Sequence, residues 1–266
     1  MKKRVLKNAS ITLVALIASI AIIAFIVPVN CFDYVMSKGE SSGKGRQNDV
    51  VYSYAKENDI RLWEYPDYMI ELLEQNSETL EFVLEYPENK DKNFTIDLSE
   101  YKNAKKVPLL LQWDKRWGYT PYGSGIIATS GCGPTCLSMV AVYLLNDTDL
   151  NPLYMANFSE VSGYCIWGNG SSWTLMSEGA QKLGLKAEEI PLDENIIAGK
   201  LKEGNPIICA MGAGDFTSSG HFIVLTEYVD GGFMVNDPNS IKNSNKIWYY
   251  EDIKGQFRNL WAMSKS

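Results

Sequence analysis

The sequence has 266 residues, including 25 Lys or Arg, 32 Asp or Glu, five Cys and a single His. This length, with 45% hydrophobic residues, allows a buried core and excludes a fibrous or wholly disordered protein. Because His221 is the only histidine, a metal site built from several histidines is excluded, and we predict no metal or organic cofactor. The formal net charge is −7, and the first ten residues hold four positive charges, which leaves −11 for residues 11–266. An acidic body argues against nucleic acid as a partner, since phosphates require a basic surface.

The N-terminal sequence predicts a membrane anchor. Residues 1–10 form a basic segment, and residues 11–29 form an uncharged apolar run long enough to span the roughly 30 Å hydrocarbon core as a helix. Positive flanks stay in the cytoplasm, so we expect a single-pass protein of the bacterial cell membrane with an extracytoplasmic C-terminal domain. Two alternatives stay open: secretion after signal-peptide cleavage, and attachment of a lipid at Cys31.

Two further segments precede the main domain. Residues 30–60 include SKGESSGKGRQND, which is rich in Gly, Ser and charge and predicts a flexible tether. Residues 61–106 include PDYMIELLEQN and SETLEFVLEYPEN, which predict two short amphipathic helices, with Pro66 opening the first and Pro87 closing the second. A segment of this length is too short for a core of its own, so we expect a helical extension packed on the main domain.

Residues 107–266 predict that main domain. The helical segments are PTCLSMVAVYLLN, WTLMSEGAQKLG and ENIIAGKLKEG, and the last two end at Gly184 and Gly204, which suit left-handed C-caps. The strand segments follow as PIICAM, HFIVLTEYV, GFMVND and KIWYY, with a hairpin turn at Asp230-Gly231-Gly232. Helices followed by hairpin-linked strands indicate an α+β fold, with helices on one side of an antiparallel sheet.

Cys132 has the sequence context of a nucleophile. It lies in SGCGPTC, directly before an apolar helix. At a helix N-terminus, unpaired N–H groups and the positive end of the helix dipole stabilise a thiolate. The flanking glycines allow close approach of backbone or substrate. We therefore predict an exposed, activated thiol.

His221 and Asp237 are predicted to meet at one end of a hairpin. His221 begins a strand, and Asp237 ends the next one, so pairing through the Asp230 turn brings them to the same end. A carboxylate there can hold the tautomer of the imidazole while the other ring nitrogen faces the thiol. Cys132, His221 and Asp237 thus predict a catalytic triad.

Four blocks of the sequence resemble a known family. VPLLLQWDKRWG, SGCGPTCLSMVAVYL, SGHFIVLTEY and VNDPNS look like the bacterial C39-like cysteine peptidases, a branch of the papain-like fold, and the resemblance covers residues 107–266. It implies Cys132 as nucleophile, His221 as general base and acid, Asp237 as orienting residue and Gln112 as side-chain donor to the oxyanion. Gln112 stands 20 residues before Cys132, farther than in the papain-like relatives, so the intervening chain must loop out and return.

Two features of the sequence leave more than one interpretation open. Cys136, Cys165 and Cys209 have apolar neighbours, and a disulfide such as Cys136 with Cys165 is open, as is the pairing of Cys31. Aromatic residues at 113–119 and the Gly- and Trp-rich stretch 163–173 either line a substrate cleft or seal the core.

The sequence as a whole predicts an extracytoplasmic, membrane-anchored cysteine peptidase. It would hydrolyse peptide bonds in peptides or proteins, cell-wall peptides included, through a thioester at Cys132. One alternative is a cell-wall amidase or transpeptidase with the same triad. Another is a surface module that binds peptide or glycan without turnover. The sequence does not indicate the oligomeric state or the role of residues 30–106.

Overall fold

The computed structural model describes residues 43–266. The predicted basic segment 1–10, the predicted membrane anchor 11–29 and Cys31 lie outside these residues. Within residues 43–266, no helix combines the length and apolarity needed to cross a membrane. Val51–Ser266 form one compact unit, and the fold below is that of this unit.

The helices are numbered from the first one described. They are α1 Gly43–Glu57, α2 Asp67–Gln75, α3 Leu80–Leu84, α4 Tyr86–Asn89, α5 Ile127–Ser130, α6 Cys132–Leu145, α7 Pro152–Val161, α8 Glu178–Lys182, α9 Glu194–Lys202, α10 Ile241–Ser244 and α11 Tyr250–Ile253. Short 3-10 turns occur at Leu62–Glu64, Ser77–Thr79, Ser99–Tyr101, Trp173–Leu175 and Lys254–Gln256.

The strands build one large antiparallel sheet and two small hairpins. The strands are β1 Pro121–Tyr122, β2 Gly125–Ile126, β3 Cys165–Ile166, β4 Gly170–Ser171, β5 Leu185–Glu189, β6 Ile207–Met211, β7 His221–Val229, β8 Gly232–Asn236, β9 Ile247–Trp248 and β10 Phe257–Lys265. The large sheet has the order β5-β10-β6-β7-β8-β9, and each neighbouring pair is antiparallel. The pairs β1-β2 and β3-β4 form the small hairpins. This is a mixed α/β fold with an antiparallel sheet, as predicted.

The sheet is covered on both faces, which corrects the prediction of helices on one side. Ile208 of β6 and Val224 of β7 lie in the core that contains α6, whereas Cys209 and Ile223 point to a second core that contains Ile197 of α9. Side chains alternate along a strand, so uninterrupted apolar runs such as β6 must bury both faces. Helix α9 covers part of the second face of the sheet.

Several local predictions are confirmed and others are not. The turn between β7 and β8 has Asp230 and Gly231 at φ 53° and 77°, as the predicted hairpin requires. Gly184 and Gly204 adopt the predicted left-handed conformation. The segment predicted as one helix from Trp173 is a 3-10 turn followed by α8.

The segments before the main domain differ from the prediction in two places. The predicted tether is helical over Gly43–Glu57, and Val51 and Ala55, one turn apart, are buried on one face of this helix. Pro87 does not close a helix but lies in the first turn of α4, where its missing N–H costs no hydrogen bond.

The helical extension packs on the main domain, as expected. The ring of Phe82 in α3 stacks on that of Tyr119, with 4.1 Å between ring centroids and 7° between planes. The Tyr119 hydroxyl also donates to the Phe82 carbonyl oxygen at 2.8 Å. The extension therefore packs on the chain segment that leads to Cys132.

Candidate active site

Cys132 begins helix α6 in a closely packed setting. A Cβ at Gly131 would lie 2.6 Å from the Ile127 carbonyl oxygen, and one at Gly133 would lie 2.6 Å from Ser171 Oγ. Both neighbours of Cys132 must therefore be glycine for the chain to pack in this way. Cys132 as a residue is partly exposed.

His221 begins strand β7 and is tied to Asp237. Its Nε2 lies 2.8 Å from Asp237 Oδ1. The two side chains are 7% and 1% exposed, so this polar pair is shielded from water. His221 lines the same cleft as Cys132 and interacts with its thiol, and because Nε2 faces the carboxylate, Nδ1 is the nitrogen left for the thiol. The structure thus brings Cys132, His221 and Asp237 together.

Asp237 is held by neighbours that the sequence did not indicate. Its Oδ2 accepts from Asn243 Nδ2 at 2.8 Å, and its Oδ1 also accepts from the Asn239 N–H at 2.9 Å. The Asp237 N–H in turn donates to Ser244 Oγ at 2.9 Å. The residues after Asp237 are typical of a turn, but this pattern does not indicate their contacts to the carboxylate.

The charges of the site favour a thiolate beside an imidazolium. Burial raises the pKa of the Cys132 thiol, but the hydrogen bond and charge of His221, with the backbone N–H groups of Phe222 and Gly133, outweigh it and lower this pKa below 9.0. Burial lowers the pKa of His221, yet hydrogen bonds to Asp237 and Cys132 outweigh that effect and raise it to about 10. With the higher pKa on the imidazole, the proton resides on His221.

Gln112 lies near the start of the nucleophile segment. The chain after it does loop out and return, through the β1-β2 hairpin, so that Gln112 Nε2 donates to the Ala128 carbonyl oxygen at 2.6 Å. Its Oε1 is buried and has no hydrogen-bond partner among the residues described. One N–H of the amide is thus committed to Ala128, and the role of the other in oxyanion binding stays a prediction.

Cys132 differs from the other cysteines of residues 43–266. These four thiols are free, so the disulfide considered between Cys136 and Cys165 is not formed. Burial raises the pKa of Cys136, Cys165 and Cys209. Only Cys132 among them combines partial exposure with a lowered pKa.

A cleft of about 630 Å³ opens over Cys132 and His221. One wall is residues 129–130, and another is the β3-β4 hairpin at 168–171 with Trp173. The remainder is formed by residues 210–212, 219–222 and Arg258. The Gly- and Trp-rich stretch therefore lines the cleft, whereas Trp117 and Tyr119 are buried in the core. Trp117 and Tyr119 thus contribute to the core, part of the second stretch lines the cleft, and its binding of substrate stays a prediction.

Residues 104–266 match the family model described as the Peptidase_C39 like family. The chain belongs to this family.

Among residues 43–266, no cluster of His, Cys, Asp or Glu could hold a metal ion.

Solved structures similar to this C39-like protein include two peptidases. The peptidase domain of Streptococcus ComA, a bifunctional ABC transporter involved in a quorum-sensing pathway, is 20% identical, with 52% of this chain and 93% of that chain covered and a TM-score of 0.38. A C39-like peptidase from Bacillus anthracis is 14% identical, with 60% and 96% covered and a TM-score of 0.35. Comparison with curated proteins gives no match. The family assignment depends on the match over residues 104–266.

Proposed function

We propose that this protein is a cysteine peptidase that hydrolyses peptide bonds through a thioester at Cys132. The observation that carries the proposal is that Cys132, with a lowered thiol pKa, and His221 line an open cleft, while His221 is bonded to the buried Asp237 behind it. A thiolate paired with an imidazolium is the reactive form of a cysteine nucleophile.

The first half of the reaction would acylate Cys132. The thiolate attacks the carbonyl carbon of the peptide bond, and the carbonyl oxygen takes up negative charge. The C–N bond then breaks as the His221 imidazolium gives its proton to the leaving amine. Asp237 keeps Nε2 protonated, so that Nδ1 is the atom that passes the proton.

The second half would return the free enzyme. His221 accepts a proton from water, the resulting hydroxide attacks the thioester, and the C–S bond breaks. The products are a carboxylic acid and the Cys132 thiolate, with the proton held again on His221. Atoms and charges balance without any further reactant.

The negative charge on the carbonyl oxygen needs donors. The N–H of Cys132 lies in the first turn of α6, where it has no acceptor within that helix. We expect the second N–H of Gln112 to supply a side-chain donor, because its amide is held at the Ala128 carbonyl, four residues before Cys132. Such donors act only when they are fixed in advance, as the bond from Gln112 to Ala128 achieves.

The cleft suits an extended peptide. The turns at Gly168 and Gly170 have φ of 77° and 74°, and this hairpin stands beside Cys132 as one wall. Trp167 at its tip is 80% exposed and can contact a bound chain. Exposed aromatic surface beside polar groups is typical of a binding cleft.

We also propose that residues 11–29 anchor the catalytic domain on the outer side of the membrane. The apolar run and its basic flank support this. In cells expressing the full chain, the protein should stay with membranes after alkaline carbonate washing, and external protease should reach residues 107–266. A soluble protein in the medium would instead indicate a cleaved signal peptide.

The activity is tested by digestion of a defined peptide library with the full-length protein. We expect cleavage products from the wild type and none from Cys132→Ala, with Cys165→Ala as a matched control that keeps activity. An added amine that appears in the products would indicate transpeptidation. Retained peptides without any products, together with an unreactive Cys132, would contradict catalysis and support a binding module.

A further inference from the structure

The helical extension contacts the loop that carries Asp237. This loop, residues 237–244, is called the Asp237 loop below, and the extension reaches it through the 3-10 turn Ser77–Thr79. Residues 61–103 of the extension lie outside the part of the chain matched by the family model, which begins at residue 104. The contact therefore joins the Asp237 loop to a segment outside the matched domain.

Glu78 accepts several hydrogen bonds from the Asp237 loop. Its Oε1 accepts from Ser240 Oγ at 2.5 Å, and its Oε2 accepts from the Ile241 N–H at 2.8 Å. The Lys242 N–H lies 3.3 Å from Oε2. In parallel, Asn76 Nδ2 donates to the Asn239 carbonyl oxygen at 2.5 Å. A carboxylate that accepts from backbone N–H groups makes bonds stronger than neutral ones.

These bonds continue to the imidazole. Ser240 Oγ, the group that donates to Glu78, accepts from the Asn243 N–H at 3.1 Å. Asn243 Nδ2 donates to Asp237 Oδ2, and Asp237 Oδ1 accepts from His221 Nε2, both at 2.8 Å. An unbroken chain of hydrogen bonds thus joins Glu78 to the imidazole.

We propose that Glu78, assisted by Asn76, is a positioning residue that holds Asp237 against His221. The helical extension would then help to fix the geometry of the catalytic site. Because it concerns the proposed catalytic site, this role depends on the proposed peptidase activity. A displacement of about 1 Å in such a support can lower the rate by about 100-fold.

The test compares full-length Glu78→Ala and Glu78→Gln with the wild type and with Glu71→Ala, a charge-matched change at an exposed site of α2. We expect Glu78→Ala to lower kcat by about 10- to 100-fold with little change in KM. The alkaline limb of the pH-rate profile of Glu78→Ala should also move to lower pH. An Asp237 that is held less firmly would stabilise the protonated His221 less. The kcat of Glu78→Gln should lie between that of Glu78→Ala and that of the wild type. The kcat of Glu71→Ala should equal that of the wild type.

Three further outcomes are decisive. A folded Glu78→Ala with wild-type kcat and alkaline limb would overturn the positioning role while leaving the peptidase activity intact. If Glu78→Ala fails to fold, Ser240→Ala tests the same chain, and a wild-type pH profile in that variant would overturn it too. If the wild-type protein showed no peptidase activity, or if its Cys132 were unreactive, the proposed function itself would be contradicted.

A second, independent observation concerns Arg258 in the wall of the cleft. Its Nη1 donates to the carbonyl oxygens of Gly255 and Phe257 at 2.9 and 3.0 Å. Its guanidinium also lies so close to Gly212 that a Cβ there would be 2.4 Å from Nη2. Within residues 43–266, Arg258 has no carboxylate partner, and no Asp or Glu lines the cleft.

We infer that Arg258 selects substrates that present a carboxylate in the cleft. A guanidinium fixed by two carbonyl groups keeps its remaining N–H donors ready for such a group at little cost in side-chain entropy. The carboxylate can be an Asp or Glu side chain or the free C-terminus of a peptide. Because the substrate occupies the cleft of Cys132, this inference also depends on the proposed activity.

The test measures kcat/KM on matched peptides. One set replaces Glu by Gln at each position around the cleaved bond, and the other compares C-terminal acid with C-terminal amide. We expect the wild type to prefer one carboxylate by about tenfold or more, corresponding to a charge-assisted pair. Arg258→Gln should lose this preference while still cleaving the neutral peptide, and Lys265→Gln, on the same strand, should keep it. An unchanged preference in Arg258→Gln, or none in the wild type, would refute the assignment.

Discussion

His221 lies between Asp237 and Cys132 and gives each of its ring nitrogens a separate task. Nε2 faces the carboxylate, which leaves Nδ1 for the thiol. Because the pKa of His221 is raised to about 10 and that of Cys132 is lowered, the proton stays on the imidazole when the thiol ionises. Peptidase activity should therefore rise with pH as the Cys132 thiol ionises, and it should fall as His221 loses its proton near pH 10.

Replacing Asp237 by Asn tests the carboxylate at this scale. The amide keeps the size of the side chain but removes the charge that supports the imidazolium. We expect kcat/KM to fall by at least about 100-fold and the alkaline limb to move to lower pH, as measured in a pH-rate profile. The exposed Asp149→Asn is the control of equal charge. An unaltered alkaline limb in Asp237→Asn would show that another group protonates the leaving amine.

At the scale of elements, the site is assembled where the start of α6 meets the start of β7. Ser171 of the β3-β4 hairpin packs on Gly133 and is also 2.7 Å from the Tyr122 hydroxyl. The hairpin is thereby fixed between α6 and the β1-β2 turn. Its position decides the width of the cleft beside Cys132.

Gly133→Ala tests this packing. The new Cβ would lie 2.6 Å from Ser171 Oγ, so we expect a loss of about 1–3 kcal/mol in the free energy of unfolding and a marked loss of peptidase activity. Gly199→Ala in α9 is the matched control, because a Cβ there meets no atom within 4 Å. That change should stabilise the protein by up to about 1 kcal/mol in chemical denaturation. Equal effects of the two substitutions would mean that the contact with Ser171 is not restrictive.

The sequence was informative where short-range patterns determine structure. The Asp230-Gly231 turn and the runs at β6 and β7 were predicted because turn chemistry and apolar runs are local signals. Strand β10 was missed, although it pairs with both β5 and β6, because Arg258 and Asn259 and a bulge interrupt its apolar pattern.

The same limit applies to the site. Cys132, His221 and Asp237 could be predicted because a helix start and a hairpin bring them together. Glu78 could not, since it lies more than 160 residues from the Ser240 and Ile241 groups it accepts from. Neither its spacing nor its surroundings in the sequence distinguish it from other exposed acidic residues.

At the scale of the whole molecule, the extension and the main domain are expected to unfold together. Phe82 stacks on Tyr119, and a Cβ at Gly118 would lie 2.8 Å from the Phe82 ring, so this ring is enclosed by the main domain. The contacts of Glu78 and Asn76 to the Asp237 loop add a second connection. The extension thus contributes to stability as well as to the proposed positioning.

Phe82→Ala tests this coupling. We expect a loss of about 3–5 kcal/mol in the free energy of unfolding, in a single transition that also removes Cys132 reactivity. The control is Trp63→Ala, at an exposed position of the extension, which should change stability little. Two separate transitions, with Cys132 reactivity surviving the first, would mean that the main domain folds independently of the extension.

The central claim is that Cys132 is a thiolate activated by His221, and its alkylation rate tests this most directly. Full-length protein is treated with iodoacetamide from about pH 5 to about pH 11, and modification of each cysteine is followed by mass spectrometry. We expect Cys132 to react first and at lower pH than Cys136, Cys165 and Cys209, and His221→Ala to move the Cys132 reaction to higher pH. If Cys132 reacts only above pH 9.0, or follows the same curve without His221, the account is contradicted.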